Sequence, residues 1–219
     1  AGGVAVADVP GEADEIRARF PRVMRRVGGY NIDALMPNGA ENNRAHLLVG
    51  SEGTLAYSTR IELKLSPLPK TKVMGVCHFP TFHAAMDAAQ HLVTLGPVAV
   101  ELVDRNMIEL AREIPMFRAT MELFVRGDPA ALLIVEFAED DQAENLRRLD
   151  RLKEMMGDLG FDWTDPAKGT GGVVEAVEPR LQAAITEVRK SGLNIVMSLK
   201  SEGKPVSFVE DCAVELKDL

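Results

Sequence analysis

Residues 73–104, VMGVCHFPTFHAAMDAAQHLVTLGPVAVELVD, carry the pattern that decides the fold. Residues 73–79 form a short, nearly continuous apolar run, which reads as a buried strand. Pro80 breaks it. From Phe82 onward the apolar residues change period: Phe82, Ala85, Met86, Ala89, Leu92 and Val93 fall on one helical face. Gly96-Pro97 stops that helix, and residues 98–103 return to strand character. The same alternation continues downstream. It predicts a short helix over 105–113, a strongly apolar strand over 131–138, and a long helix over 140–159. That last helix has Leu146, Leu149, Leu152, Met155, Met156 and Leu159 as its stripe and Gly160 behind it. Residues 169–172 read as a flexible glycine loop. Residues 178–190 read as a helix that tolerates Pro179 in its first turn, and 206–212 as a last strand. The sum is an α+β layout, an antiparallel sheet of ferredoxin-like type covered by helices. A doubly wound parallel sheet alternates in the same way and is the alternative.

Upstream the texture differs. Ser66-Pro67-Leu68-Pro69-Lys70 cannot continue a ladder, so a domain boundary is expected near 66–72, between segments 1–68 and 69–219. Before it, Ile61-Glu62-Leu63-Lys64-Leu65 alternates with period two, the mark of a half-buried strand. Residues 27–45 are rich in turn formers. The run Leu47-Leu48-Val49 reads as a strand leading into Gly50-Ser51-Glu52-Gly53-Thr54. Near the start, Pro10-Gly11 followed by Glu12, Asp14 and Glu15 reads as the beginning of a short helix.

The 219 residues are 46% hydrophobic and 26% charged, ordinary proportions for a globular protein and unlike those of a disordered or collagen-like chain. No apolar run approaches the roughly 20 residues a bilayer-spanning helix needs. Residues 1–9 are apolar but lack the basic flank of a secretory signal. Cys77 and Cys212 are too few for a disulfide scaffold or a cysteine zinc site, so a reduced, cytoplasmic setting is expected. The net charge of −8 argues against general nucleic-acid binding. The basic cluster Arg17, Arg19, Arg22, Arg25 and Arg26 reads as a solvated face, with a site for an anionic cofactor or for a missing domain as the alternatives.

Gly50 and Gly53, three apart, let backbone N–H groups approach an anion or a flavin ring without Cβ interference, although such spacing is common in ordinary turns. His46, His78, His83 and His91 lack metal-ligand spacing and read as packing or surface residues. Ser51 has no histidine partner nearby in sequence, so hydrolase chemistry is unsupported. Glu210 and Asp211 are adjacent and would point to opposite faces of a strand.

Taken together, Val27-Gly28-Gly29-Tyr30-Asn31-Ile32-Asp33-Ala34-Leu35, Leu47-Leu48-Val49-Gly50-Ser51-Glu52-Gly53-Thr54-Leu55 and Lys64-Leu65-Ser66-Pro67-Leu68-Pro69 resemble the FAD-linked oxidases. This group includes the flavin-bearing component of glycolate oxidase, D-lactate dehydrogenases and D-2-hydroxyglutarate dehydrogenases. The likeness is nearest to long members with a C-terminal iron–sulfur region. It continues through residues 98–104, 134–137 and 204–214. The resemblance implies that 1–68 is the C-terminal part of an FAD-binding domain and 69–219 a substrate-side cap domain. It implies cofactor contacts at Gly50, Ser51, Gly53, Thr54 and Leu55, and a substrate carboxylate held by Arg189 with help from Lys204. A guanidinium suits that role because its planar fork meets a carboxylate with two parallel hydrogen bonds.

The family's glycine-rich pyrophosphate loop and its histidine-containing metal motif have no counterpart here. Glu215 stands where proline is usual, and Arg60 where glutamate is usual. The expectation is a fragment of an FAD-dependent dehydrogenase that oxidises a D-2-hydroxy acid to a 2-oxo acid. The fragment alone is expected to hold no FAD and to be inactive. In the parent, an iron–sulfur region or a partner would accept the electrons, and a homo-oligomer is compatible with all of this. A non-catalytic cap or subunit-contact module is the alternative.

Overall fold

The computed structural model describes residues 11–23, 26, 28–36, 45–163, 171–197 and 214–219, leaving aside the side chains of residues 193 and 196. The chain divides into two compact units, Ala1–Ser66 with Ser207–Asp218, and Pro67–Val206.

The larger unit is built on a four-stranded sheet of β1 (Val73–Phe79), β2 (Ala99–Asp104), β3 (Ala131–Phe137) and β4 (Val173–Ala176). Their order is β2-β3-β1-β4 and every neighbouring pair is antiparallel. That order, with α3 (Phe82–Leu92) between β1 and β2 and α6 (Gln142–Asp158) between β3 and β4, is the ferredoxin-like arrangement. Helix α3 starts where Thr81 Oγ1 accepts the Ala84 N–H at 3.1 Å. Beyond its end the chain reverses at Gly96, whose φ of 69° is left-handed.

Alternation along the strands sends Cys77, Phe79, Leu133, Val135 and Phe137 to one face, where they pack with Leu92 of α3 and Leu149, Leu152 and Met156 of α6. Burial pushes the Cys77 thiol far above its ordinary range, which leaves it an inert part of this core. On the α6 stripe, the position of Leu146 is taken by Asn145. Its Oδ1 accepts the Glu139 N–H at 2.8 Å and its Nδ2 donates to Thr71 Oγ1 at 2.9 Å.

The opposite face is covered as well. Met74, Val76, Val103, Leu132 and Ile134 pack with α4 (Arg105–Glu113), α5 (Pro115–Phe124), α7 (Pro179–Lys190) and α8 (Gly192–Met197). Helix α5 and strand β4 are absent from the sequence reading. Pro115 looks like a breaker but occupies the first turn, and Phe117, Met121 and Phe124 form the buried stripe behind it. The run 173–176 is too short to show a period. The strand expected over 206–212 lies outside the described residues.

On this second face His78 is completely buried. The Arg126 N–H donates to its Nε2 at 3.1 Å, so the ring proton sits on Nδ1, 3.0 Å from the Val76 carbonyl. The ring also stacks at a tilt on Trp163, centroid to centroid 5.1 Å. Burial lowers the His78 pKa from 6.5 to about 4. The unfolded chain therefore binds a proton that the folded chain refuses. The contribution of His78 is complete above pH 6.5 and falls away as pH drops toward 4, by up to about 3 kcal/mol. Urea denaturation across that range should show wild-type stability falling relative to His78→Asn. A constant difference between the two would show that the ring is not held neutral.

In the smaller unit, α1 (Ala13–Arg19) forms as expected, and Arg17 and Arg19 pair with Asp14 and Glu15 along it. Arg26 reaches Asp33 at 2.7 Å and lies over the Phe20 ring. The run before Gly50 is a correction: residues Ala45–Leu48 form a helical turn, α2, and no strand. Residues 61–65 form no strand and pair with none among the described residues, and Ile61, Leu63 and Leu65 are exposed. An alternating strand needs a neighbouring backbone to become a ladder, and periodicity alone cannot supply one.

Candidate functional site

The second face of the sheet is not apolar throughout. The register sets Glu136 of β3 opposite Ala99 of β2 and Met74 of β1, and Ile134 opposite Glu101. Two carboxylates therefore stand on one face of the sheet, among Met74, Ala99 and Ile134. Above them α7 presents Ile185, Thr186 and Arg189, and together with Lys72 these residues bound a cavity of about 190 Å³.

Two buried amides fix its walls. Gln182 of α7 is hydrogen-bonded through Nε2 to the carbonyls of Lys72, Ala176 and Val177 at 2.9, 3.0 and 2.9 Å. It thus ties the helix to the backbone entering β1 and leaving β4. Asn145 holds Thr71 from the other side of the sheet. Inside the cavity Arg189 Nη1 lies 3.0 Å from Glu101 Oε1, and Lys72 Nζ lies 3.3 Å from Glu136 Oε2. Two cations and two carboxylates leave it formally neutral. An arginine at the edge of a cavity this size can take a small carboxylate.

The structure thus places Arg189 in a concave, charged site. Lys204, the second substrate-binding expectation, lies outside the described residues, as do Glu210 and Asp211. Lys72, Glu101, Glu136 and Thr186 escaped the sequence reading. The available signal was an acidic residue interrupting each of two apolar strands, at 101 and 136, but their shared face depends on a register that sequence does not supply.

The glycine turn belongs to the smaller unit. Gly50 and Gly53 have φ of 78° and 77°, and between them Glu52 also adopts positive φ, at 51°. The turn is closed by Ser51 N–H to Leu48 O at 3.1 Å and Thr54 N–H to Ser51 O at 2.9 Å. Asn31 Nδ2 donates to Val49 O at 3.0 Å, and Tyr30 and Thr54 join their hydroxyls at 2.8 Å. A Cβ placed on Gly50 or Gly53 would meet nothing within 4 Å. Backbone geometry demands glycine there, and the bare surface it leaves fits the close approach of a flat ring or a sugar.

The described residues thus carry an arginine-bearing cavity on a ferredoxin-like sheet and, in a separate unit, a glycine turn. The chain belongs to the family of FAD linked oxidases, C-terminal domain, which matches residues 68–219. It is 29% identical over 212 residues to a D-2-hydroxyglutarate dehydrogenase of Pantoea ananatis, covering 91% of this chain and 20% of that protein. Against the D-2-hydroxyglutarate dehydrogenase of Escherichia coli the identity is 29% over 202 residues, 89% of this chain and 19% of the other. A D-lactate dehydrogenase of Archaeoglobus fulgidus is 29% identical over 124 residues, 56% of this chain and 26% of its own. The chain thus spans about a fifth of the length of the D-2-hydroxyglutarate dehydrogenases it matches. Among the described residues, no helix is long and apolar enough to cross a membrane.

Proposed function

We propose that this chain forms part of an FAD-dependent dehydrogenase that oxidises a D-2-hydroxy acid to the 2-oxo acid. The observation that carries the reading is Arg189, presented by α7 at a neutral, charged cavity on the sheet. In this reading residues 69–219 are the substrate-side cap domain and residues 1–68 the end of the FAD-binding domain. Arg189, with Lys204, grips the carboxylate and so anchors the acid in the cavity. Gly50, Ser51, Gly53, Thr54 and Leu55 would lie against the nucleotide. When bound, FAD supplies the acceptor for the hydride leaving C2. Electrons would then pass to an iron–sulfur region or a partner. The cysteine usage favours a cytoplasmic setting.

The names of the relatives favour D-2-hydroxyglutarate and D-lactate as the first acids to try. Anaerobic titration of the complete flavin-loaded protein with each enantiomer tests the reading. The D-acid should bleach the flavin absorbance and the L-acid should leave it. A flavin that no 2-hydroxy acid reduces would overturn the proposal.

A further inference from the structure

We propose that Glu101 sits in the seat a substrate carboxylate takes, so that ligands enter this cavity by exchanging with it on Arg189. The inference rests on the reading of Arg189 as the carboxylate-binding group and adds a second residue that sets its affinity. Among the described residues, Glu101 and Arg189 are each other's ion-pair partners, at 3.0 Å. The pair is 42% and 41% exposed, so water and a small anion can reach both ends of it. Glu101 stands on β2, an edge strand of the sheet, with solvent to swing into.

The second pair in the cavity is less accessible: Glu136 is 22% exposed and is set between Ala99 and Met74 in the sheet register. Its carboxylate stays with Lys72. An anion arriving at Arg189 therefore meets a cavity whose positive charge is already cancelled, and one of the two carboxylates must give way. Glu101 is the one free to do so.

The exchange has a definite energetic sign. An exposed ion pair of this kind is weak, and that weakness is what allows a ligand to replace it. Removing the Glu101 charge while keeping its shape leaves the cavity with one unmatched cation. Glu101→Gln should then bind a carboxylate about fivefold more tightly, the factor that corresponds to losing one exposed competing pair. If Glu101 instead served to hold Arg189 in position, the same substitution would weaken binding. The two roles predict opposite directions.

The test is calorimetric titration of the 219-residue chain with D-2-hydroxyglutarate, and separately with D-lactate, in wild type, Glu101→Gln, Glu101→Ser and Arg189→Met. The arginine Nε–H resonances in a nitrogen-15 spectrum serve as a second readout. Tighter binding in both Glu101 variants, lost when Arg189→Met is added, is the expected result. Equal or weaker binding in both variants, with wild-type binding still lost in Arg189→Met, overturns the exchange role and leaves the reading of Arg189 standing. Binding that survives Arg189→Met, or that neither wild type nor Glu101→Gln shows at millimolar ligand, overturns both. The serine variant guards against a glutamine amide that takes over the hydrogen bond to Arg189.

Discussion

Replacing Gly75 with valine is expected to cost the larger unit about 3 kcal/mol, a large share of the stability of an ordinary domain. Gly75 lies in the middle of β1, paired with Val135 on one side and Glu175 on the other. Its φ lies outside the left-handed region, so the need for glycine there is one of space. A Cβ at that position would run into Leu152 of α6, and it would press on Leu149 and Val173, each 3.1 Å away. All three belong to or pack against the core that joins α6 to the sheet. A branched side chain must push the helix off the strand or force several leucines out of their rotamers. Urea denaturation should show Gly75→Val the least stable variant and Gly75→Ala intermediate. Adding Leu152→Ala to Gly75→Ala should recover part of the loss, because the two sites share one contact. A Gly75→Val chain that melts like wild type would show that α6 does not press on β1 there.

Arg189→Met is expected to act in the opposite way, sparing the fold and abolishing recognition. Methionine keeps much of the apolar stem, and loss of the half-exposed pair with Glu101 should change stability by no more than about 1 kcal/mol. Two charge-assisted hydrogen bonds to a carboxylate are worth about 1.5–3 kcal/mol each, so affinity for a 2-hydroxy acid should fall about 100-fold or more. In the complete flavin-loaded protein, steady-state kinetics should show this as a raised KM. Arg189→Lys should restore the charge but only part of the affinity, since an ammonium cannot supply the planar fork. A KM that does not move in Arg189→Met would remove this residue from substrate binding.

Much of the sheet was legible because β1, α3 and β2 change period cleanly, from a continuous run to helical spacing and back. Helix α6 was legible too, except that its stripe was begun at Leu146, which is exposed, whereas the neighbouring Asn145 is the buried position and its amide a clamp. Helix α5 was hidden by Pro115, whose local reading as a breaker is overruled by its first-turn position. Strand β4 was hidden by its brevity. Arg189 was singled out only through family resemblance, because an arginine in the last turn of a helix is favoured there with or without a ligand. Lys72, Glu101 and Glu136 could not be read as one cluster. They come from three separate strands or strand ends, and they meet only once the register decides which residues share a face.

Gln182 gives the cavity a property that its ion pairs cannot. The amide joins α7 to Lys72, Ala176 and Val177 through neutral hydrogen bonds in a buried position. Ionic strength screens the exposed contacts at Arg189 strongly, but it hardly reaches a buried amide. Salt should therefore govern which anion occupies the cavity while leaving its width unchanged, as in an ion-exchange resin whose matrix does not swell.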